Sequence, residues 1–168
     1  CRDNGYQALN ITYPYKEHVV SQVAINDPMV RTIAAVNTVV FDGTLSKAYN
    51  TDYTGFIAAY DQVRASAAPG VCCLVGTGGV GRALAFGLVK LGADEIRLFD
   101  RDNAKAQQLA YDLNALDPQT VVTAADDLDV ATANCDGLLN GTPLGMVGYP
   151  GSAFEPKAIA NAAWVFDA

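Results

Sequence analysis

Six consecutive residues, Gly76-Thr77-Gly78-Gly79-Val80-Gly81, satisfy the spacing G-x-G-x-x-G. Glycine at 76 permits a tight turn, and glycine at 78 lets the backbone approach a pyrophosphate. Glycine at 81 lets the following helix pack closely on the preceding strand. A helix opened by such a loop offers unpaired N–H groups to phosphate oxygens. Further on, Asp100 ends a second apolar run, where a carboxylate can accept hydrogen bonds from adenosine ribose hydroxyls. Three polar clusters precede the loop: Asn10-Ile11-Thr12-Tyr13-Pro14-Tyr15-Lys16, Val36-Asn37-Thr38 and Asn50-Thr51-Asp52. Lys16 stands at a helix start, where the dipole does not favour a cation, and that placement hints at another use. Each cluster also has an ordinary role: Asn and Thr cap turns, Lys sits in solvent, and Asp52 can cap a helix.

The elements around these residues follow from periodicity. Val71 to Val75 is an apolar, β-branched run that reads as a buried strand. Behind the loop, Val80, Leu84, Leu88 and Leu91 recur at helical spacing, with Gly92 placed to end the helix. Glu95 to Phe99 reads as a second strand, Asn103 to Leu116 as a helix, and Thr120 to Ala124 as a third strand. A short helix at 126–133, a strand at 137–140 and a short helix at 155–160 complete the series before Trp164. Strands alternating with helices imply a parallel sheet wound on both faces. Upstream, a strand is expected over Ala8 to Tyr13, with Asn10 and Thr12 on one face. A short helix is expected at 16–23. Asp27 caps a helix with Pro28 at its first position, running to about Ala35. A strand at 36–41 then turns at Asp42-Gly43 into Leu45 to Tyr49. A helix over Gly55 to Ala65 and the spacer Ala67-Ala68-Pro69-Gly70 join the two halves.

Composition narrows the function classes. A hydrophobic share of 51% with 17% charged residues supports a packed core. A net charge of −7 argues against a nucleic-acid or anionic-membrane surface. No apolar run approaches the length that spans a membrane. Cys1, Cys72, Cys73 and Cys135 lack metal-ligand spacing and read as buried thiols of a reducing, cytoplasmic compartment. Cys72 and Cys73 should point to opposite faces of their strand. The chain begins at Cys1 and stops just after the strand-like Trp164 to Phe166, so both ends are expected to be cut from a longer protein.

In these motifs the sequence resembles the shikimate and quinate/shikimate dehydrogenases. N-[IV]-T-x-P-x-K occurs at Asn10 to Lys16, A-V-N-T at Ala35 to Thr38 and N-T-D-x-x-G at Asn50 to Gly55. The glycine loop follows, then N-x-T-P-L-G-M at Asn140 to Met146. The resemblance implies hydride transfer between a nicotinamide cofactor and shikimate or quinate. Lys16 looks like the catalytic lysine and Asp52 like its aspartate partner. Asn10, Thr12 and Asn37 look like residues that hold the ring hydroxyls. Gly76, Gly78, Gly79, Val80, Gly81, Asp100, Arg101 and Lys105 would hold the dinucleotide, with Asn140, Thr142 and Met146 near its nicotinamide. His18 lies in no family motif and reads as a surface or structural residue.

Some positions depart from the family pattern. Gly141 replaces a common alanine, and Ala35 a common glycine. The family's amino-terminal serine pair, and its later tyrosine and glutamine, are absent from these residues. Members using the phosphorylated cofactor carry Asn-Arg-Thr where this chain has Asp100-Arg101-Asp102. Arg101 and Lys105 can meet a 2′-phosphate, whereas Asp100 and Asp102 repel one, which favours NAD over NADP. The expected architecture is α/β: part of a substrate-binding domain at 1–53, then a Rossmann-type dinucleotide domain at 54–168 whose C-terminal end is missing. The expected partner is a small molecule of the shikimate or quinate class, without nucleic acid or membrane, and a homodimer is allowed. The rival readings are a non-catalytic sensing paralogue and another two-domain Rossmann enzyme, such as a folate-linked dehydrogenase or glutamyl-tRNA reductase. The presence of Lys16 and Asp52 opposes the first, and the Asn10 to Lys16 and Asn50 to Asp52 motifs oppose the second.

Overall fold

The computed structural model describes residues 2–43, 45–117 and 119–168. Cys1 of the four thiols and Thr44 of the expected hairpin turn lie outside the described residues. Two sheets organise the chain. Strands β1 (Ala8–Asn10), β2 (Thr38–Asp42) and β3 (Leu45–Tyr49) form an antiparallel sheet in that order. Helix α1 (Pro28–Ile33) lies between β1 and β2 in the chain, and helix α2 (Thr51–Arg64) leads from β3 to the second sheet.

The second sheet is parallel and contains β4 (Val71–Val75), β5 (Glu95–Phe99), β6 (Val121–Ala124), β7 (Gly137–Asn140) and β8 (Trp164–Asp167). Its order, β6-β5-β4-β7-β8, is that of the Rossmann fold as far as it runs. The connecting helices are α3 (Gly79–Lys90), α4 (Asn103–Leu116), α5 (Leu128–Thr132) and α6 (Pro156–Asn161). The strand order reverses between β4 and β7, where Val75 lies opposite Asn140. Ligands of open parallel sheets bind at such a switch point, beyond the carboxyl ends of the strands.

Alternation along β4 explains the core. Cys72 and Leu74 pack into a cluster with Leu84, Leu88, Ile96 and Leu109, whereas Cys73 and Val75 face Leu138, Cys135 and Phe154 on the other side. The two neighbouring thiols thus point to opposite faces, as a period of two requires. Helix α3 is buried along nearly its whole length, at Gly81 and from Ala83 to Val89. Each fully buried leucine there contributes about 1.5–3 kcal/mol relative to an exposed one. The helix ends in a Schellman arrangement: the Ala93 N–H reaches the Leu88 carbonyl, the Gly92 N–H reaches that of Val89, and Gly92 has φ +76°.

The first half departs from expectation in its irregular parts. Strand β1 stops at Asn10 rather than Tyr13, because a turn follows in which the Tyr15 N–H donates to the Thr12 carbonyl. Residues 18–22 form a 3-10 helix instead of an α-helix over 16–23. Asp27 caps α1 as expected, accepting from the Met29 N–H at 2.8 Å, but the helix ends at Ile33 because Ala34 turns left-handed. Helix α2 begins four residues earlier than the Gly55 expected, at Thr51. Its cap is Asn50, which accepts from the Tyr53 N–H at 3.0 Å, so Asp52 is not the cap but a first-turn residue.

Candidate functional site

A cleft of about 950 Å³ opens at the switch point of the parallel sheet. One wall is the glycine loop and the first turn of α3, and the other is the segment from Thr12 to His18 with the start of α2. The loop leading out of β7 forms the rim, contributing Thr142, Leu144 and Met146.

Lys16 and Asp52 meet in this cleft. The Lys16 Nζ donates to the Asp52 Oδ2 at 2.6 Å, with the two side chains only 13% and 26% exposed. Each partner is held from behind. The Val36 N–H donates to the Lys16 carbonyl at 2.8 Å. The Asn37 Nδ2 donates to the Asp52 Oδ1 at 3.0 Å and to the Thr51 Oγ1 at 2.8 Å. The Asn37 Oδ1 accepts from the Thr51 N–H and the Thr38 hydroxyl. The Asn50 Nδ2 in turn reaches the Ala35 carbonyl at 2.9 Å. Three separated motifs therefore close into one hydrogen-bonded block beneath an ammonium–carboxylate pair. Such a pair can hold a proton at a fixed place beside a bound hydroxyl or ketone.

The glycine loop is shaped as the fingerprint requires. Gly76 has φ +89°, and a Cβ on Gly81 would run into the Gly76 carbonyl. No side chain caps α3. The first N–H groups of a helix have no intrahelical acceptor, so they remain for a phosphate. Asp100 lies at the same end. Its Oδ2 accepts from the Thr77 N–H at 2.7 Å and the Thr77 hydroxyl at 2.9 Å, and its Oδ1 accepts from the Asp102 N–H at 2.9 Å. Burial opposes its charge. The hydrogen bonds from Thr77 and Asp102, with the attraction of Lys105, outweigh that and hold the carboxyl below the ordinary range. Arg101 and Lys105 line the cleft beside it.

The residues singled out in the sequence divide accordingly. Thr12, Lys16, Asp52, Gly76, Gly78, Gly79, Val80, Asp100, Arg101, Lys105, Thr142 and Met146 line the cleft. Asn10, Asn37, Gly81 and Asn140 stand outside its lining. Asn10 is exposed on β1 opposite Thr38. Asn140 is buried, donating to the Leu144 carbonyl and the Asp167 Oδ1 while accepting from the Thr142 N–H and hydroxyl. His18 lies exposed at the cleft mouth, its Nδ1 on the Pro14 carbonyl at 3.1 Å. Glu17 also lines the cleft and went unread in the sequence. Thr77 stands outside the lining, its N–H and hydroxyl on Asp100, and a hydroxyl inside a glycine loop next to an acid-ended strand is a usable signal for that role.

Fold and cleft define a Rossmann-type α/β unit joined to an antiparallel sheet, with the Lys16–Asp52 ion pair in the cleft beside the glycine loop. Comparison with known proteins gives the class its relatives. Residues 71–135 match the family model described as NADP oxidoreductase coenzyme F420-dependent. The chain is 37% identical to the quinate/shikimate dehydrogenase (NAD(+)) of Corynebacterium efficiens, over 99% of this chain and 60% of that protein. It is 34% identical to the shikimate dehydrogenase (NADP(+)) of Streptomyces avermitilis, over 98% of this chain and 57% of that one. The solved quinate dehydrogenase of Corynebacterium glutamicum, in complex with NAD, superposes with a TM-score of 0.81 at 35% identity, covering 98% of this chain and 60% of that chain. The resemblance carried by the five motifs thus extends over nearly the whole sequence. The chain spans about 60% of the length of the first of these curated relatives.

Proposed function

We propose that the protein carrying this sequence transfers a hydride between a nicotinamide dinucleotide and shikimate or quinate, or the corresponding dehydro-compound. Residues 1–53 supply the substrate side and residues 54–168 the dinucleotide side. The observation that carries the reading is the 2.6 Å Lys16–Asp52 pair facing the same cleft as the glycine loop. The relatives' names support the substrate class.

The residues present fit a dinucleotide. The uncapped start of α3 leaves backbone N–H groups for a pyrophosphate, the glycine at 78 lets it come close, and Asp100 stands where a ribose hydroxyl would donate. Bound there, the nicotinamide supplies the hydride acceptor. Lys16 and Asp52 take charge of the accompanying proton at the Lys16 Nζ, with Asn37 fixing the carboxylate that orients it. Thr12, which lines the cleft, would hold a ring hydroxyl. The apolar lining from Val75, Phe56 and Leu144 helps to exclude water.

NAD is the cofactor we propose over NADP. Asp100 is kept ionised by its hydrogen bonds, and its charge would face a 2′-phosphate. Arg101 and Lys105 attract one, but exposed ion pairs contribute only ~0–1 kcal/mol. Steady-state rates with both cofactors test the choice: kcat/KM should favour NAD, and Asp100→Asn should narrow the preference. A wild-type preference for NADP would overturn it.

A further inference from the structure

The fingerprint G-x-G-x-x-G asks for glycine at 76, 78 and 81, and leaves position 79 free. Gly79 is nevertheless glycine, and its backbone gives no reason for it. It occupies the first position of α3 and does not have positive φ. The reason lies across the cleft. A Cβ built on Gly79 would stand 2.9 Å from the Lys16 Cβ and 3.4 Å from the Lys16 Cδ, with the Ala35 Cβ at 3.7 Å. We infer that Gly79 is a positioning residue for Lys16: the missing side chain lets the lysine stem lie flat against the first turn of α3, with its ammonium on Asp52. The inference rests on the reading of Lys16 as the proton-handling group.

The contact cannot be relieved cheaply. The atom nearest the built Cβ is the first carbon of the lysine side chain, which moves only with the backbone. That backbone is tied by the Val36 N–H to the Lys16 carbonyl at 2.8 Å. Asp52 is tied on its other side by Asn37 and cannot follow a displaced ammonium. A methyl at position 79 therefore pushes Lys16 out of line and opens the 2.6 Å pair. In this way the loop that cradles the phosphates also sets where the ammonium stands.

Competitive acetylation of surface and cleft lysines at mildly alkaline pH, read by mass spectrometry, tests this without turnover. Lys47 and Lys90 serve as internal references. In Gly79→Ala, Lys16 should label about fivefold faster relative to them, the size expected for losing a partly exposed ion pair. Unchanged Lys16 labelling in a folded Gly79→Ala variant would overturn the inference. Melting temperatures give a second arm, should Gly79→Ala fold poorly. Replacing Lys16 by glycine removes the clashing carbon, so the loss caused by Gly79→Ala should vanish in the Lys16→Gly background. An equal loss in both backgrounds would also overturn it. Near-normal turnover of Lys16→Ala would instead sink the functional reading and leave this contact standing.

Discussion

Removal of the Asp100 carboxylate should destabilise the protein by an amount that depends on pH. Asp100 accepts three hydrogen bonds, two from Thr77 and one from the Asp102 N–H. Thr77 is only 3% exposed, so Asp100→Ala strands a buried N–H and a buried hydroxyl. Leaving such a donor unpaired costs roughly 1–3 kcal/mol, and the Asp102 N–H turns to water at little cost. A loss of about 2 kcal/mol corresponds to a fall of roughly 4–8 °C in Tm for a domain of this size. The native carboxyl titrates below its ordinary value, so its contribution is fully present above the unfolded pKa of about 4. That contribution is lost as pH falls through the lower native value. The gap between wild type and Asp100→Ala should thus be full at pH 7 and shrink below pH 4. Scanning fluorimetry across that range, checked by urea melts, reads it. A Tm at pH 7 within 1 °C of wild type, or a gap that widens in acid, would refute the reasoning.

Further outcomes follow from the same geometry. Asn37→Ala removes the brace behind Asp52 and leaves the Thr51 N–H unpaired, which should cost about 2–3 kcal/mol in urea unfolding. Arg82 donates through Nε to the Ile33 carbonyl at 2.6 Å and pairs with Asp112 at 3.1 Å, so Arg82→Ala should cost about 1–3 kcal/mol by the same measure. Burial pushes the Cys72 thiol up and the Cys73 thiol up to about 12. Iodoacetamide at pH 8 should leave both untouched in the native protein and alkylate them in urea, and rapid native labelling would contradict their placement.

The parallel half could be read from sequence nearly residue by residue because its signals are local. The bounds of β4, β5 and α4 match the expected ones, since an apolar strand, a glycine turn and a helical stripe each announce themselves within a few residues. The first half was harder. β1 ends early at a turn whose closing bond joins Thr12 to Tyr15, and periodicity is blind to such a bond. The identity of the α2 cap depended on which of Asn50 and Asp52 turned back on the helix, a choice that composition leaves open. The site shows the same division. Lys16, Asp52 and the glycine loop line one cleft, whereas Asn37 and Asn140 spend their side chains on neighbouring backbone and side-chain groups. Whether an asparagine faces a ligand or its own protein is decided by packing across distant segments, which no single motif contains.

The most direct test is steady-state oxidation of shikimate and of quinate by the protein that carries this sequence, beside its Lys16→Ala variant. The wild type should turn over at least one of the two substrates. Lys16→Ala should lower kcat by ~100-fold or more while substrate binding largely survives. A Lys16→Ala variant that kept near-normal kcat would contradict it.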